Sequence, residues 1–255
     1  MSRTNEKCNM PSIDINCDLG EGKPNDASIM PFVSSANIAC SYHAGDESSI
    51  RTAIRLAIKN KVAIGAHPGF ADKENFGRVA LLLPAHDYYK LVMEQLVLFK
   101  ELADQERVQI HHVKPHGALY NLAVKNEMVA TELAKAVHDF DPSLIYYGLS
   151  NSSMLRIAEG MGLKTASEVF ADRSYQEDGT LTPRIERNAI FTDPEVAAKQ
   201  ALMMAREKKV MSISGKPVAV NADTICIHGD LPQAYSFAKA VYNSLKENKI
   251  EIKSI

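Results

Sequence analysis

The chain lacks an excess of either charge: Lys and Arg number 29 against 31 Asp and Glu, for a formal net charge of −2 over 255 residues. A dedicated nucleic-acid binder needs a basic face to displace counterions from phosphates, so that class is excluded. Long apolar runs are missing too. None approaches the roughly 20 residues of a bilayer-spanning helix, and the composition, 45% hydrophobic, is that of a globular protein without a membrane partner. Cysteine is scarce. The 4 present stand at positions 8, 17, 40 and 226, with no C-x-x-C pair of a zinc knuckle or redox centre, and they read as reduced thiols. The polar start, MSRTNEKCNMPS, has no apolar signal core, so the expected setting is the cytoplasm. Residues 1–11 read as an N-terminal arm. No Gly/Ser or Pro-rich linker breaks the remainder, and residues 12–255 are expected to form one domain.

What is present is a βα rhythm: short apolar runs alternate with segments of helical period, the pattern of parallel sheets. Seven strands are predicted, at 12–18, 36–40, 62–66, 110–114, 144–148, 166–170 and 223–228. The clearest helices are 47–60, 85–107, 194–207 behind an Asp193 cap, and 231–248. An uninterrupted βα series of seven strands points to a closed α/β barrel of the TIM type, with a doubly wound open sheet as the other topology. The polar stretch at 171–187, ADRSYQEDGTLTPRIER, is long for a loop and reads as a lid or docking surface.

Alternation along each strand sorts side chains by face. In the first strand Asp14, Asn16 and Asp18 share one face. The third puts Gly65 and His67 together, the fourth His112 and Lys114, with His116 just beyond, and the last Thr224, Cys226 and His228. A barrel interior is ordinarily filled by branched apolar side chains, so these polar groups must pair with one another, water or a ligand. They gather at the C-terminal strand ends, where such folds place active sites. A His followed within two residues by Gly recurs there: YHAGD (42–46), AHPG (66–69), PHG (115–117) and IHGD (227–230). Asp46 and Asp230 each precede a helix, and N-capping is their expected role.

Several chemistries are open to these groups. Asp18, His43, His67 and His228 are candidates to ligate a divalent metal, or to act without one as general acids and bases. Lys114 suits a developing oxyanion or a phosphate, and Glu168 is a candidate base or salt-bridge partner. Arg78, Arg173 and Arg184 follow strands and suit a carboxylate or phosphate. Cys40 and Cys226 lie near the mouth with no histidine fixed beside them by spacing. Gly22-Lys23 and Gly215-Lys216 lack the glycine pattern of a P-loop.

The stretches NCDLGEG (16–22), SANIACSYHAGD (35–46), IGAHPGF (64–70), FGR (76–78), HHVKPHGALYN (111–121), EVFADRSYQEDGTLTPR (168–184) and ICIHGD (225–230) resemble the LamB/YcsF family, in order, over about residues 12–248. The resemblance implies a seven-stranded barrel of the glycoside hydrolase/deacetylase type. It also implies ATP-dependent opening of 5-oxoproline to glutamate, a hydrolase reaction on a lactam C–N bond, in a complex with two further subunits, B and C. ATP with Mg2+ would then act chiefly through those subunits. The implied catalytic set is Asp18, His43, His67, Lys114, His116, Glu168 and His228. Asn16, Asn37, Arg78, Asp172, Arg173 and Arg184 would bind substrate, and Asp18, His43 and His67 are the metal candidates. Three departures stand out: Ser41-Tyr42 where Gly-Phe is usual, Val79 where a second Arg is common, and a shorter loop after Gly22. A stand-alone metal-dependent amidohydrolase or carbohydrate deacetylase, and a non-catalytic lactam-binding subunit, are the rival readings, and self-association is left open.

Overall fold

The computed structural model describes residues 11–255; the expected N-terminal arm, with Cys8, lies almost wholly outside the described residues. In chain order the elements are β1 (Ser12–Leu19), α1 (Asp26–Ile29), β2 (Ser35–Ala39), α2 (Glu47–Asn60), β3 (Ala63–His67), α3 (Ala85–Gln105), β4 (His112–Val113), α4 (Gly117–Lys125), α5 (Glu127–Phe140), β5 (Ile145–Leu149), α6 (Ser153–Gly160), β6 (Lys164–Phe170), α7 (Pro194–Glu207), β7 (Lys209–Met211), β8 (Pro217–Ala219), β9 (Thr224–His228), α8 (Ala234–Glu247) and β10 (Glu251–Ile252). The parallel strands pair in the order β1-β2-β3-β4-β5-β6-β9, and β9 returns to β1, so the sheet closes. The seven-stranded barrel is therefore the fold, and the open sheet is excluded. No described helix is long and apolar enough to cross a membrane.

All seven predicted strands are present, with no end moved by more than two residues. β6 starts at Lys164, and β4 keeps only two residues. Its ladder still extends on both sides, through His111 N–H to Ile64 O (2.7 Å) before it and through Lys114 N–H to Ala66 O (3.0 Å) and His116 N–H to Pro68 O (2.8 Å) after it. Helices α2 and α7 have the predicted bounds. Asp46 caps α2 as expected, its carboxylate accepting from Ser49 N–H. Asp230 does not cap: α8 begins at Ala234, and the Asp230 carboxylate instead meets Arg78 at 2.6 Å. The antiparallel pair β7–β8 and the edge strand β10 are too short to show a period in the sequence.

Helices pack apolar faces on the barrel exterior. The face of β1 carrying Ile13, Ile15 and Cys17 is buried against them, with Ile50, Ala53, Ile54 and Ala57 of α2 in the same core. The opposite face of β1 points inward, and its register with β9, Asp14 to Thr224, Asn16 to Cys226 and Asp18 to His228, stacks the polar residues in layers.

Candidate active site at the barrel mouth

The innermost layers are hydrogen-bonded amides and hydroxyls. Asn16 donates to Thr224 Oγ1 (2.7 Å), and Asn37 donates to Asn16 Oδ1 (2.7 Å) and Asp18 Oδ1 (2.8 Å). His112 Nε2 lies 2.8 Å from Asn37 Oδ1 and holds that amide in place. Gly65 leaves room for this ring: a Cβ there would collide with His112 Nε2. Asn16 and Asn37, placed with the substrate by resemblance, are thus engaged with the barrel itself.

Lys114, just past β4, is the central charge. Its Nζ lies 3.0 Å from Asp18 Oδ1, 2.8 Å from Glu168 Oε1, 3.2 Å from Asn16 Oδ1 and 3.0 Å from Cys226 Sγ. Burial acts against its charge, but Asp18, Cys226 and Glu168 outweigh that and hold its pKa well above the usual lysine value. Two carboxylates in direct contact favour its ammonium form. Asp18 is similar in reverse: burial opposes ionisation, while His67 and Lys114 carry its pKa well below the usual carboxylate range. Of its two expected roles, Glu168 takes that of ion-pair partner.

His228, at the end of β9, faces this pair. Asp172 accepts from the His228 backbone N–H at 2.9 Å and from its Nδ1–H at 2.9 Å. Burial works against the Asp172 charge and His228 more than compensates, so its pKa is lowered. The carboxylate fixes the proton on Nδ1, and Nε2 makes no hydrogen bond within the described residues.

The other histidines form a second cluster beside the first. His67 Nδ1 donates to Lys114 O (2.7 Å), His67 Nε2 lies 3.4 Å from Asp18 Oδ2, and His116 Nδ1 stands 2.9 Å from His67 Nε2. His116 Nε2 donates to Phe76 O (2.9 Å). His43 stacks on His116, ring centroids 3.8 Å apart, and its Nε2 is 3.3 Å from Glu21 Oε1. The metal candidates Asp18, His43, His67 and His228 fall in two adjoining groups of mutually close ligand atoms, His43 and His67 with Glu21 and His116, and Asp18 and His228 with Cys226, joined by the 3.4 Å approach of Asp18 to His67. Asp18 and Cys226 of the latter trio contact the Lys114 ammonium, which already supplies a cation there.

Above these groups opens a cavity of about 250 Å³ lined by Arg78, Asn121, Lys125, Arg173 and Arg184 among others. It is continuous through Gly117, Asn121, Arg173 and Arg184 with a narrow floor lined by Asp18, His67, Lys114 and His228. The polar stretch at 171–187 forms its wall and is tied down by backbone pairs Arg173–Ile190 and Tyr175–Leu181. Arg173 donates to Ala189 O (3.1 Å) and Thr182 O (2.6 Å), so part of its guanidinium holds that wall. Arg78 is paired with Asp230. Arg184 alone of the three makes no ion pair or hydrogen bond within the described residues, and burial and the Arg78 charge lower its pKa. Four cationic side chains and no acidic one line the cavity, which suits an anion.

Parity missed Glu21, because Gly20, at φ +71°, turns the chain back toward the histidines after β1. The Gly-x-Gly turn of NCDLGEG was its only signal. Ser41, the first of the expected departures, takes φ +70°, a conformation glycine adopts freely. Tyr42 donates to Glu94 on α3, outside the cavity, and Val79 is exposed.

A family model described as the LamB/YcsF family matches residues 13–255. The chain is 47% identical, over 96% of its length and 97% of the relative's, to the A subunit of 5-oxoprolinase from Geobacillus kaustophilus. The crystal structure of a lactam utilization protein from Thermus thermophilus superposes with a TM-score of 0.90 at 40% identity, covering 96% of this chain and all of that one. A peptidoglycan deacetylase, PdaC of Bacillus subtilis, shares the fold alone, with a TM-score of 0.52 at 11% identity over 97% of this chain and 89% of the other.

Proposed function

The chain belongs to the LamB/YcsF family, and on that premise we propose that it is the ring-opening subunit of an ATP-dependent 5-oxoprolinase, making L-glutamate from 5-oxo-L-proline with partner subunits B and C. Its close relatives are named as the A subunit of 5-oxoprolinase, and the Thermus thermophilus protein of the same shape is named for lactam utilization. The observation that carries a hydrolytic reading is His228: Asp172 holds its Nδ1–H, leaving Nε2 as an acid–base atom on the floor of a cationic cavity.

A five-membered lactam is resonance-stabilised and nearly unstrained, so opening it is driven by coupling to phosphoryl transfer. ATP, with Mg2+ and the partner subunits, phosphorylates the lactam oxygen; an O–P bond forms and ADP leaves. Water then adds to the former carbonyl carbon, the ring C–N bond breaks, and the nitrogen departs as an amine after taking a proton. The resulting acyl phosphate is hydrolysed by a second water to glutamate and phosphate. His228 takes a proton from water at Nε2 and returns it to the ring nitrogen. Asp172 holds the tautomer that this requires, and Asp18 orients the water. Lys114 sets a positive potential under the phosphorylated oxygen, and Arg184, the unpaired guanidinium, takes the substrate carboxylate. Such acid–base assistance contributes about 10²–10⁴-fold.

The test is 5-oxoproline-dependent release of glutamate and ADP by the purified chain with and without subunits B and C. Turnover is expected only with the partners present, and Lys114→Met abolishes it. ATP-independent hydrolysis by the chain alone would make it a stand-alone amidohydrolase. Lactam binding without turnover, partners included, would make it a binding subunit.

A further inference from the structure

The cluster of histidines behind Asp18 holds a problem of proton count. Carbonyl oxygens only accept, so the bonds to Lys114 O and Phe76 O place the protons of His67 and His116 on Nδ1 and Nε2 respectively. In the neutral rings His67 Nε2 and His116 Nδ1 then carry lone pairs, and these two atoms are 2.9 Å apart. Two lone pairs at that distance need a positive centre beside them. Two carboxyl oxygens adjoin them: Glu21 Oε1, 3.6 Å from His116 Nδ1, and Asp18 Oδ2, 3.4 Å from His67 Nε2. No lysine or arginine among the described residues pairs with Glu21: Lys114 is held by Asp18 and Glu168, and Arg78 by Asp230.

We propose that Glu21 Oε1, His67 Nε2 and His116 Nδ1 form a site for a first-row divalent transition-metal ion of the zinc, cobalt or iron class, with His43 as its outer support. Bonds of 2.0–2.1 Å put two donors about 2.9 Å apart at right angles and about 3.4 Å apart at the tetrahedral angle. The His67–His116 and His116–Glu21 separations, 2.9 and 3.6 Å, lie close to that range. Two imidazoles and one carboxylate favour such an ion over Mg2+ or Ca2+, which take oxygen. His43 is parallel to His116 within 5°, so its Nε2 runs alongside the His116 donor and reaches Glu21 instead. Each ligating ring has its remote N–H on a backbone carbonyl, the arrangement that orients metal-bound imidazoles.

Glycines make the cradle. A Cβ at Gly69 would stand 2.8 Å from His43 Nδ1, and one at Gly77 2.7 Å from His43 Cβ and 3.0 Å from His116 Cδ2. The His-Gly turn at 66–69 thereby acquires a purpose that acid–base chemistry alone does not give it. The site does not depend on the lactam reading, because it is read from metal binding and not from turnover.

The experiment uses the full chain, stripped with a chelator and titrated with Co2+. About one ion per chain is expected, with visible d–d absorption. The paramagnetically shifted exchangeable protons of two imidazoles, His67 Nδ1–H and His116 Nε2–H, should appear in the wild-type NMR spectrum. His116→Ala and Glu21→Gln, checked for folding by circular dichroism, should lose the stoichiometric Co2+. His43→Phe should keep it with affinity roughly 10–100-fold lower, and His228→Ala should bind as wild type. Absence of Co2+ uptake by the wild-type chain overturns the site and leaves a shared proton in the 2.9 Å gap. Uptake undiminished in both ligand variants, or a Co2+ form without the two shifted imidazole protons, overturns it equally.

Discussion

Asp14 and Asp18 lie on the same face of the same strand and have opposite surroundings. Asp14, at the barrel floor, accepts from the hydroxyls of Ser34, Ser35, Tyr147 and Thr224 and has no cationic partner among the described residues. Burial raises its pKa, though those hydrogen bonds pull the other way. Asp18, at the mouth, meets an ammonium and an imidazole and borders a cavity. The floor is closed and hydroxyl-lined, and it contributes a fixed stack. The mouth is charged and open, at the end of the barrel where such folds place active sites.

Four substitutions sharpen or break that contrast. Lys114→Met should have the largest effect. It leaves two buried carboxylates without a cation, so a loss of about 3–5 kcal/mol in unfolding free energy is expected, together with a fall in glutamate release of roughly 10²–10³-fold or more. Denaturant titration and the coupled assay read the two separately. Asp172→Asn comes next, because it removes the acceptor that fixes the His228 tautomer: kcat should fall on the order of 10²–10⁴-fold while the fold persists. Arg184→Ala should act on KM, raising it roughly 10–100-fold with kcat and Tm little changed, since the guanidinium has no partner to strand.

Asp14→Asn should have the smallest effect on turnover and a distinctive effect on stability. Asp14 binds its proton more tightly in the folded chain, so its contribution is intact below the ordinary value of 3.8 and lost as pH rises through the raised folded-state pKa. The variant cannot ionise, and its stability relative to wild type should improve across that window, by about 1–2 kcal/mol. Asp18 has the opposite sign: its contribution is complete above 3.8 and lost as pH falls through its lowered pKa. Unfolding curves from acid to neutral pH distinguish the two, and equal slopes would erase the contrast.

Much of this is legible in the sequence. Strand alternation put Asp14, Asn16 and Asp18 on one inward face, and the β1–β9 register bears that out. Alternation could not say which of the three is floor and which is mouth, because depth is set by neighbouring strands. The Arg78–Asp230 pair joins side chains 152 positions apart, which no local pattern encodes, so capping was the expectation for Asp230. The α4–α5 break was hidden as well. It turns on Asn126, whose side chain accepts from Met128 and Val129 N–H, with no glycine or proline to announce it. Glu21 escaped because a turn, not a strand, aims it.

The most direct test is glutamate release from 5-oxoproline, with ATP and subunits B and C, measured side by side for Asp18→Asn and Asp14→Asn. The barrel-mouth account predicts that Asp18→Asn abolishes release while Asp14→Asn stays within about threefold of wild type. Full activity in Asp18→Asn, or equal loss in both, would contradict it.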